Sequence, residues 1–107
     1  MKIDFEKIVQ ENIVGFKGGE GLLHAQNYID GSNRIMKMVL TPGASVGQHL
    51  HDNNCEIIFV LQGELTIFCD DVCEKVSAGQ AHYCPKGHSH RYENQTSTDA
   101  SYYAVVV

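Results

Sequence analysis

No stretch of the chain is apolar for long enough to cross a bilayer as a helix, which takes roughly 18 or more consecutive residues. A membrane partner is therefore not expected. Cations are also scarce: Lys and Arg number 8 against 13 Asp and Glu, the net charge is -5, and the basic residues stand singly. Nucleic-acid binding needs a clustered cationic footprint, so no nucleic-acid partner is expected either. The opening MKIDFEKIVQ carries acidic residues and lacks the apolar core of about 7–15 residues that marks a secretory leader, so the expected location is cytoplasmic. The close Cys-x2-Cys pairs of a zinc knuckle are missing as well. Cys69 and Cys73 stand four apart, and with Cys55 and Cys84 they are expected to remain free thiols in a reducing compartment. No repeat, linker or low-complexity segment divides the 107 residues, a length that suits one domain with one core.

What the sequence does contain is a succession of short β-type runs. From about Leu22, the segments LLHAQNY, RIMKMVL, QHLH, CEIIFVL, ELTIFC, VCEKV, AHYC, HRYE and ASYYAVVV alternate with turn clusters such as IDGSN, TPGASVG, DNN, DD and PKGHS. Turn signals every 8–12 residues or so, with Val, Ile, Tyr and Phe filling the runs between them, indicate an all-β sandwich or barrel. EIIFVL is almost continuously apolar, so both of its faces are expected to be covered, one by the interior and one by a second layer or a partner subunit. Residues 1–20 read as an irregular lead-in, with a helical turn or an edge strand.

Five of the six histidines, all but His24, fall in two turn-rich clusters. In the first, His49 and His51 are two apart and so share one face of a strand, with Leu50 directed to the other side into apolar surroundings. The DNN turn at 52–54 would return the chain antiparallel and bring Glu56 back to them, so that one hairpin supplies two imidazoles and a carboxylate. This is the donor set of many transition-metal sites. In the second cluster, GQAHYCPKGHSHRYEN, both His88 and His90 leave the Pro85–Gly87 turn, and strand parity allows either to complete the set.

The two clusters together resemble the cupin family. Its first motif, G-x5-H-x-H-x(3,4)-E-x6-G, is met by Gly43, His49, His51, Glu56 and Gly63; its second, G-x5-P-x-G-x2-H-x3-N, by Gly79, Pro85, Gly87, His90 and Asn94. Either motif arises by chance at a given start with odds on the order of one in a million or less. The resemblance implies an all-β fold of antiparallel strands, a cupin-type jelly-roll β-barrel or sandwich. Residues 1–107 would form one cupin domain, with the motifs at 43–63 and 79–94 and the site in the barrel mouth. It implies His49, His51, Glu56 and His90 as metal ligands, with His88 close by. It also implies a homodimer, which would cover the second face of EIIFVL.

Three imidazoles and a carboxylate suit one divalent transition metal ion: Mn, Fe, Co, Ni, Cu or Zn. Alternation puts Tyr92 on the face of His90, and Ile58 and Val60 on the face of Glu56, with Met36 and Met38 together on a neighbouring strand. The pocket is then mostly apolar and sized for a small molecule. Tyr92 and His88 are the candidate catalytic groups, and one of His82 and Tyr83 is expected to face the pocket. Asn94 is expected to tie down a loop. The expected function is that of a metal-dependent enzyme on a small organic acid, sugar derivative or thiol, of dioxygenase, decarboxylase or isomerase type. The alternative is a small-molecule binder or sensor without turnover.

Overall fold

Period-two alternation of inward and outward residues resolves into ten strands in the computed structural model, which describes residues 1–107. They are β1 (Glu11–Val14), β2 (Leu22–Asp30), β3 (Asn33–Leu40), β4 (Ser45–Leu50), β5 (Glu56–Gln62), β6 (Glu64–Cys69), β7 (Val72–Ser77), β8 (Ala81–Cys84), β9 (Ser89–Glu93) and β10 (Ala100–Val106). A six-stranded sheet has the order β1-β2-β3-β10-β5-β8, and a four-stranded sheet the order β4-β9-β6-β7. From β3 onward the chain passes back and forth between them, apart from the β6–β7 hairpin. The all-β jelly-roll expectation holds. The two sheets face each other as a sandwich, without the edge-to-edge hydrogen bonding that would close a barrel.

The lead-in contains both structures expected of it: a 3-10 turn over Phe5–Lys7 and an edge strand, β1, paired with β2. At the β6–β7 hairpin, Asp70 and Asp71 both have positive φ (51° and 62°), the two-residue turn whose twist matches the flanking strands.

Directly paired residues in an antiparallel sheet point to one face, so the register defines layers. Across β3, β10 and β5 these layers are Met38–Tyr102–Val60, Met36–Ala104–Ile58 and Arg34–Val106–Glu56. The first two lie within a cluster of 17 buried apolar residues that fills the space between the sheets. The third lies at the end of that core, where polar residues enter.

Two local expectations are corrected and a third, for EIIFVL, is narrowed to cover by a partner subunit. The DNN segment does not form a hairpin. β4 belongs to the four-stranded sheet and β5 to the six-stranded one, so residues 52–54 carry the chain round the corner of the sandwich. The outer face of EIIFVL is not covered within the chain: Phe59 is 46% and Leu61 42% exposed, while Ile58 and Val60 are buried. Leu50, expected among apolar neighbours, is 57% exposed at the rim of the space between the sheets.

Candidate metal centre

An irregularity in β4 aims the histidines. Val46 pairs with Tyr92 and His49 with His90, so β4 advances three residues while β9 advances two. Such a bulge inverts the side-chain parity, which lets His49 and then His51, one residue past the strand, share the inner side with Val46. His90 enters from β9 in the same sheet. Glu56, the first residue of β5, enters from the opposite sheet. The four side chains therefore meet between the sheets, at the end where the apolar core stops.

Their inward atoms all lie within 4.8 Å of one another. His90 Nε2 is 3.0 Å from His49 Nε2 and 3.1 Å from His51 Nε2. Glu56 Oε1 is 2.7 Å from His90 Nε2, 3.2 Å from His51 Nε2 and 3.8 Å from His49 Nε2. The far side of each ring is already engaged. His49 Nδ1 lies 2.7 Å from the Gly47 carbonyl and His51 Nδ1 2.8 Å from Asn54 Oδ1. Both are acceptors, so each Nδ1 carries the proton and donates. His90 Nδ1 lies 3.0 Å from His82 Nε2. Burial, with His90 beside it, pulls the His82 pKa down to about 4, so His82 is neutral and can accept. With every Nδ1–H donating outward, three Nε2 lone pairs face a carboxylate oxygen.

That arrangement calls for a cation. Glu56 Oε1 is buried and lacks a well-formed hydrogen bond, although three imidazoles surround it. Burial pushes the Glu56 carboxyl up, but without a metal any proton on the inward imidazole nitrogens is donated to Glu56, which outweighs burial and holds it well below the usual carboxylate range; a metal cation would take the place of those protons. The Glu56 carboxylate in turn raises the pKa of His51. Adjacent donors on a six-coordinate ion with bonds of about 2.1 Å stand about 3.0 Å apart, close to the spacings seen. The outward bonds to Gly47, Asn54 and His82 would fix ring orientation and tautomer, as the outer partners of metal-bound histidines do. The residues present thus fit a divalent transition metal.

Beside the cluster lies a cavity of about 330 Å³, walled by Met36, Met38, Val46, Val106 and the ring of Tyr92. The expected placement of Met36, Met38 and Tyr92 holds; Ile58 and Val60 lie deeper, in the core. The Tyr92 hydroxyl is 2.8 Å from that of Tyr102, and burial holds it well above the ordinary phenol pKa. It is a neutral group bonded within the core. His88 is not at the cavity: its Nδ1 bonds to Asp70 on the β6–β7 turn. Of the pair His82 and Tyr83, His82 stands behind His90, and Tyr83 points to solvent. Cys84 is fully buried, and burial pushes its thiol up to about 12, so it is a packed, protonated group. Reading the sequence missed Asn54, which was absorbed into a turn signal, and two cations at the cavity rim, Lys17 and Arg34. For these three only the fold supplies the signal.

A two-sheet jelly roll with three histidines and a glutamate converging at one end of the sandwich defines a class of small β proteins with a donor set that fits a metal. The family model described as "Cupin domain" matches residues 36–106, and the chain belongs to that family. It is 30% identical over 113 residues to a Thermotoga maritima protein named "Oxalate-binding protein", an alignment covering 100% of this chain and 93% of that one. A crystal structure of a predicted oxalate decarboxylase from T. maritima superposes with a TM-score of 0.92 at 29% identity, covering 100% and 98% of the two chains. A cupin-superfamily sugar phosphate isomerase from Silicibacter pomeroyi shares the fold at a TM-score of 0.81 and 20% identity, covering 100% and 75%.

Proposed function

We propose that the chain is a metal-dependent cupin that binds a small organic acid on one divalent transition metal ion held by His49, His51, Glu56 and His90, and acts on it as an enzyme. The observation that carries this reading is the convergence of three Nε2 lone pairs on the buried Glu56 oxygen, at the wall of a cavity of about 330 Å³. The names of the T. maritima relatives support a carboxylic acid over a sugar derivative or thiol. Such an ion supplies Lewis-acid polarisation of a bound carboxylate or carbonyl oxygen. The chain's own part is to hold the donors in register, to keep water away with Met36, Met38 and Val106, and to position the acid against the Tyr92 ring. Decarboxylation, dioxygenation and isomerisation all remain within this reading.

A second reading, binding without turnover, is favoured by one observation. Apart from His49, His51 and Glu56, no carboxylate or imidazole lines the cavity, and the Tyr92 hydroxyl is engaged by Tyr102. Metal-loaded protein incubated with oxalate and a panel of small organic acids separates the two. Carbon dioxide release, oxygen uptake or an isomerised product is the expected result. Saturable binding with all three absent would leave only the binder, and no binding of any acid would overturn both.

We also read residues 1–107 as one cupin domain, acting in the cytoplasm, where its four free thiols would persist. A homodimer would bury the exposed outer face of β5 and β8. Phe59→Lys is then expected to convert a dimer to a monomer in light scattering; a parent protein that is already monomeric at micromolar concentration removes this part of the proposal.

A further inference from the structure

Two unpaired cations stand at the rim of the cavity, one on each wall. Arg34, Val106 and Glu56 are paired in line across β3, β10 and β5. Arg34 therefore leaves the same inner face as Glu56, two strand spacings or roughly 9–10 Å along the sheet, and it lines the cavity. Lys17 comes from the other side, in the 3-10 turn Phe16–Gly18, which is packed against β4. Its φ of 57° and ψ of 28° lie in the left-handed region, rare for a lysine and a form of strain that tends to mark functional positions.

The surrounding structure imposes this conformation. A Cβ on Gly47 would stand 2.1 Å from the Lys17 carbonyl oxygen, and one on Gly19 would stand 2.2 Å from that of Ser45. The turn can therefore lie flat on the β4 backbone only because both positions are glycine. Phe16 packs against the core and anchors the turn from below. Lys17 lines the same cavity as His49, His51 and Glu56. The ion pairs of the molecule all involve histidine, which leaves the Lys17 ammonium and the Arg34 guanidinium without a carboxylate partner in a chain of net charge -5.

We propose that Lys17 and Arg34 form an anion-selecting rim, so that the site takes a small dicarboxylate, one end at the histidine–glutamate cluster and the other between the two cations. This deepens the metal-dependent reading above and rests on it for the inner end of the ligand. The planar guanidinium can take a carboxylate through two parallel hydrogen bonds, and the ammonium adds a point charge from the facing wall.

The test uses the full chain as purified, with metal content measured beside calorimetric titration of oxalate, malonate and succinate, and of oxamate as a probe with one charge fewer. Lys17→Gln and Arg34→Gln are both surface changes that leave the core untouched. Each is expected to keep the metal and to weaken binding of the preferred dicarboxylate by about tenfold, the loss of one charge-assisted contact, with a smaller effect on oxamate. Lys17→Gly supplies a separate signature. Glycine suits the left-handed φ, so melting temperature should hold or rise while dicarboxylate affinity falls. A double glutamine variant that keeps its metal and binds within twofold of the parent would overturn the proposal. So would a parent that binds none of the three dicarboxylates at millimolar concentration. Metal-free parent protein whose dicarboxylate binding still depends on Lys17 and Arg34 would instead sink the metal reading and leave the rim standing.

Discussion

Alanine in place of His90 is expected to reduce bound metal from about one ion per chain to below a tenth of that, the largest loss among the four ligand positions. His90 is 0% exposed and central: its Nε2 lies 3.0–3.1 Å from both other Nε2 atoms and 2.7 Å from Glu56 Oε1. Its removal also leaves His82 Nε2 unpartnered in a buried place and opens a void beside the Tyr92 ring. His49, the most exposed of the three imidazoles in the cluster, should show the mildest loss on the same substitution. His88→Ala is the discriminating control. Its imidazole bonds to Asp70, outside the cavity, so metal content should not change. Elemental analysis of the three proteins checks the order, and metal lost with His88 but kept without His90 would overturn the ligand set. Added metal should raise the melting temperature of the parent and leave that of His90→Ala unmoved, because only the parent's folded state binds it. Acid should act in the same direction reversibly. A proton and a metal compete for one lone pair, and the Glu56 carboxylate favours the proton on His51, so retention should fall as pH drops.

Most strand positions were legible because they depend on short-range chemistry, whereas the grouping of His49, His51, Glu56 and His90 was legible only through the two motifs, since the DNN hairpin expected to bring Glu56 back does not form. ELTIFC and AHYC coincide with β6 and β8, since turn residues bound each run closely. His90 was separated from His88 only by motif position. In the fold, the distinction arises because His88 precedes β9 while His90 lies within it and pairs with His49. What stayed hidden depends on partners distant in sequence. DNN reads equally as a hairpin turn or a corner; the choice is made when β5 pairs with β10, the last strand. The outer face of β5 looked interior because Ile57, Phe59 and Leu61 are apolar, and no sequence pattern tells an uncovered sheet face from a covered one. Arg34 joins the site only through the β3–β10 register, which puts it in line with Glu56. Lys17 joins it through a backbone contact with Gly47, which carries no side-chain signal at all.

Asn94→Ala is expected to cost about 2–4 kcal/mol of stability, and about 10–20 °C in melting temperature for a chain of this size, while the folded variant keeps its metal. Asn94 is 1% exposed. Its Nδ2 donates to the carbonyls of Leu40 at 2.9 Å and Thr98 at 2.7 Å, and its Oδ1 accepts from the backbone N–H and the hydroxyl of Thr96. Its own N–H donates to the Ala44 carbonyl, and its carbonyl accepts from the Gly43 N–H. One side chain thus joins the end of β3 to the loop before β10, and its backbone joins both to the turn that opens the first motif. Alanine removes the side-chain partners and leaves the Leu40 carbonyl buried without its donor, which is the costly half of a lost hydrogen bond. Asn94→Asp should be at least as damaging. It keeps the acceptor for Thr96 but turns a carboxylate oxygen toward two carbonyls. The metal should stay because Asn94 is four residues along the chain from His90, roughly 13 Å at the rise of a strand. Thermal melts and metal analysis on the same samples separate the two effects. A melting temperature unchanged by Asn94→Ala would refute the tie. Metal lost from a fully folded variant would place Asn94 in the site, where the structure does not put it.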